Sequence, residues 1–255
     1  MTDEPPLAST ADQGIRDGGR AVLWDANFGA SSALFWPLAE AIAALAKIHG
    51  DTTSFPTAET IDDALGARAG IRFERQRPVA RRRRSAARDP ESMYDARIAR
   101  EGCVPTRPGS WHDLMNALVW ATFPKAKRAL HERQHGLVVP AAPGESARRP
   151  RELDALALLD EGGVVVVSSR PASELADEEA LIAAVARREA TAIVFGHAIY
   201  EGLVLGRPAP LASVVCLEGT PADADRALAE RVADRTALTD PRAMLRLKVD
   251  EDWKG

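Results

Sequence analysis

Residues 103–135 read CVPTRPGSWHDLMNALVWATFPKAKRALHERQH and hold three of the five histidines of the chain. The Pro105–Gly109 run gives an extended, turn-rich lead-in, because a proline biases the residue before it away from helix. Ser110 is then placed to cap a helix, and Asp113, three residues on, completes a Ser-x-x-Asp capping box. Leu114, Leu118 and Ala121 recur at helical spacing, widened by Met115, Val119 and Thr122. Pro124 has no amide hydrogen, so this helix must break before it. Proline also suits the first turn of a new helix. A second helix therefore starts there, carrying Lys125, Lys127, Arg128, His131 and Arg133, with Gly136 as its stop.

Two polar residues do not suit a plain core helix. His112 and Asn116 are four apart and share a face. Asn116 lies in the most apolar part of the run, and a buried amide left unpaired costs about 1–3 kcal/mol. Either these residues make a structural polar contact, or His112, Asp113 and Asn116 form the face of a catalytic site. Asp113 has the cap as its simpler role.

Outward from this stretch, Leu34, Leu38, Ile42 and Leu45 give the first helix an apolar face. Trp24, Phe28, Phe35 and Trp36 surround it as core anchors. Ile71–Glu74 reads as a short strand and Met93–Arg100 as a short helix. Residues 141–151 form a linker-like loop. Leu153–Leu159 and Val164–Ser168 flank Asp160-Glu161-Gly162-Gly163, which predicts a β-hairpin with the glycines in the turn. Asp160 and Glu161 are then turn residues, unless one of them faces the central site as a metal-binding carboxylate. Ser173 starts another helix, Thr191–Phe195 is a short buried strand, and Gly196 turns the chain. If His197-Ala198-Ile199-Tyr200-Glu201 is helical, His197 and Glu201 share a face. Such a pair can share a metal or a proton, or simply make a structural hydrogen bond. Ser213–Leu217 is a last strand, and Ala222–Ala233 and Asp240–Leu245 read as helical.

The run Val104-Pro105-Thr106-Arg107, then Trp111-His112-Asp113, Asn116-Ala117-Leu118-Val119-Trp120, and Phe123-Pro124-Lys125 with Lys127, resembles the signature of a bacterial family, domain of unknown function 3025. Asp154-Ala155-Leu156 through Leu159-Asp160-Glu161, and Gly196-His197-Ala198 with Glu201, are similar as well. The resemblance spans roughly residues 34–211. The family pattern has asparagine at the position of His131 and threonine at that of Ala157. The resemblance implies a fold unit and candidate positions, and no reaction.

Composition bounds the rest. The chain has 255 residues, of which 45% are hydrophobic, enough for a real core. A formal charge of −4 argues against a dedicated nucleic-acid binder. The basic run Arg81–Arg84 has no interleaved aromatic residue for base stacking, so it reads as a solvated loop. Cys103 and Cys216 lack metal-ligand spacing. No Walker loop, Gly-x-Gly-x-x-Gly or Gly-x-Ser-x-Gly motif is present. The acidic, polar start is unlike a secretion signal, and no apolar run is long enough to span a bilayer.

These readings converge on one α+β domain over residues 20–249, with a disordered tail at 1–19 and a loose tail at 250–255. Helices pack on a small mixed or antiparallel sheet with a central β-hairpin. The expected function is a cytoplasmic, hydrolase-like enzyme. His112, Asp113, Asn116, His197 and Glu201 would supply the chemistry, either as a histidine–carboxylate acid/base site or, with Asp160 beside the two histidines, as a site for a divalent metal. Arg107 and Lys127 would hold a small anionic or phosphate-containing substrate. The alternative is a non-catalytic binding or scaffold protein in which His112, Asn116 and His197 form a buried network.

Overall fold

The structure, a computed structural model, describes residues 15–17, 20–50, 52–76, 94–137, 150–208, 211–249 and 253. The basic run at Arg81–Arg84, the loop at 141–149 and most of both tails lie outside them. In chain order the elements begin with β1 (Ile15–Asp17) and β2 (Arg20–Val22), an antiparallel pair. Then come α1 (Ala39–His49), α2 (Ala58–Ile61), α3 (Ala67–Ala69), β3 (Arg72–Arg75), α4 (Tyr94–Glu101) and β4 (Cys103–Thr106). The middle of the chain gives α5 (Trp111–Thr122), α6 (Pro124–Leu137), α7 (Arg151–Gly162), β5 (Gly163–Ser168) and α8 (Glu178–Ala186). It ends with β6 (Ala190–Val194), α9 (His197–Val204), β7 (Leu211–Glu218), α10 (Ala224–Ala233) and β8 (Leu245–Lys248).

One mixed sheet, in the order β6-β5-β7-β8, organises the second half. Its central strands β5 and β7 run parallel, while β6 and β8 are antiparallel to their neighbours. All six residues of β5 are buried. This explains its unbroken valine run, since a strand covered on both faces needs no alternation. The smaller β3–β4 pair is parallel. The architecture is a single α+β domain.

The core centres on α5. From Leu114 to Ala121 every residue of this helix is buried. A helix apolar nearly all round must be enclosed, and α1, α3, α6 and α9 pack around it. Ser110 caps it as expected, its hydroxyl accepting from the Asp113 amide at 3.2 Å. Pro124 opens α6, and Asp225 from α10 caps that helix by accepting from the Ala126 amide at 2.9 Å.

The central hairpin does not form. Residues 151–162 are helical and run straight into β5. The buried positions Ala155, Leu156 and Leu159 are spaced for a helix, and Pro150 stands at its start. Gly163 serves a close approach rather than a hairpin turn. A Cβ on Gly163 would lie 2.3 Å from the Leu159 carbonyl oxygen. Two smaller differences follow the same logic. Asp240–Leu245 gives only a short 3₁₀ turn at Pro241–Ala243 before β8, an edge strand whose Leu245–Lys248 alternation is the period-two signal. The helix placed at Ser173 starts instead after Asp177, whose side chain caps it. Trp253, in the tail read as loose, is buried.

Candidate functional site

Four helix ends converge beside the sheet. The first turn of α5 brings His112, and the last turn of α7 brings Asp160 and Glu161. The N-terminus of α9 brings His197 and, one turn later, Glu201, while the first turn of α6 brings Lys127. Two corners hold them in register. The amides of Phe195 and Gly196 both donate to the Gly163 carbonyl, at 3.0 and 2.8 Å. This locks the β6–α9 corner onto the α7–β5 corner. The approach is so close that a Cβ on Gly196 would lie 2.4 Å from the Gly163 nitrogen and 2.5 Å from the Glu161 carbonyl oxygen.

Within the cluster, His112 Nδ1 meets a carboxylate oxygen of Glu201 at 3.0 Å. His197 Nδ1 meets the backbone carbonyl of Asp160 at 2.8 Å. The two Nε2 atoms face each other at 3.0 Å, and Glu161 Oε2 is 3.3 Å from that of His197. His112, His197 and Glu161 each offer a donor atom within 4.8 Å of the others. A carbonyl and an ionised carboxylate only accept hydrogen bonds. Both Nδ1 atoms must therefore carry the hydrogens, and in neutral rings both Nε2 atoms carry lone pairs. Two lone pairs and a carboxylate cannot satisfy one another; a cation or a proton must sit among them.

Burial divides the cluster into a closed floor and an open rim. The His197 side chain is 4% exposed, His112 31% and Glu161 51%, so solvent reaches the site from the Glu161 side. Burial pushes the His197 imidazole down to about 3, with Lys127 and His112 adding to the shift against the pull of Asp160. The hydrogen bond to Glu201 raises His112 despite its partial burial. Glu161 is raised by burial and by the Asp160 charge. Burial would also raise Asp160, but the adjacent Lys127 and histidines outweigh it and hold its carboxyl well below the usual range.

The structure thus brings His112, His197 and Glu201 together from positions far apart in the chain. It replaces Asp160 by Glu161 as the carboxylate that faces the two Nε2 atoms. Asp160 turns its side chain to Lys127, on the Nδ1 edge of His197. Neither expected anion-holding cation faces the cluster as a free charge. Lys127 is fully buried in its ion pair with Asp160. The Arg107 guanidinium grips Asp113 through two bonds, at 2.7 and 2.9 Å. Asp113 also accepts from the Arg107 amide at 2.6 Å, so its role is to fix the lead-in to α5. Asn116 is buried in the core one turn beyond His112. Sequence reasoning missed the part played by Gly196, for which a glycine just before a histidine-bearing helix was the available signal.

Residues 82–250 match the family described as "Protein of unknown function (DUF3025)". The chain belongs to the DUF3025 family. The matched region contains His112, Asp160, Glu161, His197 and Glu201, so the whole cluster lies inside the family unit. No curated protein and no solved structure matches the chain. Among the described residues, no helix is long and apolar enough to cross a membrane.

Proposed function

We propose that this DUF3025 chain is a metal-dependent hydrolase whose centre is one divalent transition-metal ion held by His112 Nε2, His197 Nε2 and Glu161. The convergence of three lone-pair donors, with the histidine hydrogens committed to the far sides of their rings, carries the proposal. A zinc-type site takes nitrogen and carboxylate donors at about 2.0–2.2 Å, which puts neighbouring donors roughly 3.3 Å apart in a tetrahedron. The 3.0 and 3.3 Å separations suit two edges of such a set, and the third, between His112 and Glu161, lies within 4.8 Å. Glu201 and the Asp160 carbonyl are the outer partners that metal-bound histidines typically have. With three protein ligands the ion would still have room for a water, and Glu161 is the most exposed of the three. A bound ion lowers the pKa of that water to about 7. With His112, His197 and Glu161 holding it, the ion would supply an activated water as nucleophile for an acyl or phosphoryl centre, the proton given up by that water ending on the leaving group.

The cytoplasm is the proposed setting. Cys103 and Cys216 are both free thiols, as a reducing compartment favours. The second reading is a non-catalytic buried network. It is favoured by the deep burial of His197 and by the raised His112, whose imidazolium form would donate from Nε2 to His197.

The experiment is a hydrolysis screen over chromogenic esters, amides, phosphomonoesters and phosphodiesters. The chain would be stripped with chelator and reloaded with zinc, manganese or cobalt. Turnover that needs the ion and disappears in Glu161→Gln and His197→Ala is the expected outcome. Turnover that survives both substitutions would contradict the assignment, and a folded chain that takes up no ion would favour the network.

A further inference from the structure

We infer that Lys127 is a positioning residue for this centre, acting through Asp160 to set the orientation of His197 and the direction of Glu161. The inference rests on the metal-site reading above. Lys127 is fully buried, and its ammonium lies 5.7 Å from the ring centroid of Trp120 and 6.0 Å from that of Phe195. Its ion-pair partner is the Asp160 carboxylate.

Asp160 controls two of the three donors without being one. Its backbone carbonyl accepts the His197 Nδ1 hydrogen at 2.8 Å, which fixes the ring and leaves Nε2 unprotonated. The next residue along α7 is Glu161, whose carboxylate reaches the opposite edge of the same ring. Consecutive residues of a helix point about 100° apart. Holding Asp160 towards Lys127 therefore aims Glu161 towards the histidines. The Asp160 carboxylate is also 3.8 Å from His197 Nδ1. With Lys127 gone, that carboxylate is free to take the Nδ1 hydrogen from its own carbonyl, which would turn the ring and draw Nε2 away from Glu161. Stability alone does not call for such a pair, since buried ion pairs can often be replaced by apolar residues at no net loss.

Lys127→Met alone strands a buried carboxylate, so the informative variant is Lys127→Met with Asp160→Asn, which removes both charges and keeps the shapes. Zinc affinity would be read by competition with a chromogenic chelator. The His197 tautomer in the metal-free chain would be read by side-chain nitrogen NMR, and folding by thermal denaturation. The double variant is expected to melt near the wild type and to bind zinc about 10–100-fold more weakly, as disturbing the groups that orient a metal ligand does. The residue-160 backbone carbonyl persists in it, so His197 should keep Nδ1 protonated, and the weaker binding then reports a turned ring and a displaced Glu161 rather than a changed tautomer. Unchanged zinc affinity in the folded double variant would overturn the inference alone. A wild type that binds no zinc would overturn the metal-site reading and this inference with it.

Discussion

Replacing Gly196 by alanine places a methyl carbon 2.4 Å from the Gly163 nitrogen, 2.5 Å from the Glu161 carbonyl oxygen and 2.6 Å from the Gly162 Cα. All three atoms belong to backbone, so no side chain can swing aside. Ordinary contact begins at 3.4 Å, and one corner must therefore retreat by about an ångström. Overpacking of this kind typically costs about 1–3 kcal/mol, and for a chain of this size the melting temperature should fall by about 2–12 °C. The retreat separates His197 from Glu161, since each sits next to one of the corners. Zinc affinity should then fall by at least about tenfold. The assay pairs thermal denaturation of the metal-free chain with chelator competition for zinc. Gly202→Ala is the control, because its nearest neighbour is the Arg207 Cβ at 4.0 Å. That variant adds a better helix former to α9 and should gain up to about 1 kcal/mol. A Gly196→Ala chain that melts and binds zinc like the wild type would refute the reasoning about the two corners.

Further outcomes follow from other parts of the molecule. Glu201→Gln removes the largest cause of the raised His112 pKa, so the His112 titration followed by NMR should move down; a titration that stays in place would mean Glu201 does not set it. In the metal-free chain, burial holds His197 neutral down to about 3, while an unfolded histidine binds its proton near 6.5. The stability this contributes is full above 6.5 and is lost as pH falls towards 3, at roughly 1.4 kcal/mol per pH unit. His112 works the opposite way, its contribution being full below 6.5 and lost as pH rises through its raised folded value. Urea midpoints measured from neutral to mildly acid pH should fall in the wild type and fall less in His197→Phe, and equal slopes would contradict the assignment. Buried Arg133 donates to the carbonyls of Val232, Asp234 and Ala237 at 2.6, 3.0 and 2.7 Å. Arg133→Met strands these acceptors and the Glu152 carboxylate, so chemical denaturation should show a loss of about 3–5 kcal/mol; wild-type stability would show that water replaces the guanidinium.

Much of the centre was legible in the chain. The Ser110 cap, the Leu114–Leu118 spacing and Pro124 fix α5 and the start of α6 by purely local rules. Gly196 reads only as a turn, and the helix after it stands as a condition rather than a reading. What spacing could not show is that Glu201 pairs with His112, 89 positions away, rather than with His197 on its own helix. Nor could it show that Lys127 and Arg107 are already matched to Asp160 and Asp113, since ion pairing is decided by packing. The misread hairpin had a second consequence. In a turn, Asp160 and Glu161 are equally plausible ligands. On the last turn of a helix they point in different directions, and Glu161 takes the Nε2 edge of His197 while Asp160 lies on its Nδ1 edge.

The central claim is a metal ion on His112, His197 and Glu161. It is tested most directly by elemental analysis of the zinc-equilibrated, desalted chain beside His112→Ala, His197→Ala and Glu161→Gln, with circular dichroism to show that each variant is folded. The account predicts one divalent ion per wild-type chain, lost from both histidine variants and weakened in Glu161→Gln. A folded wild type that retains no ion, or histidine variants that keep it in full, would contradict the account.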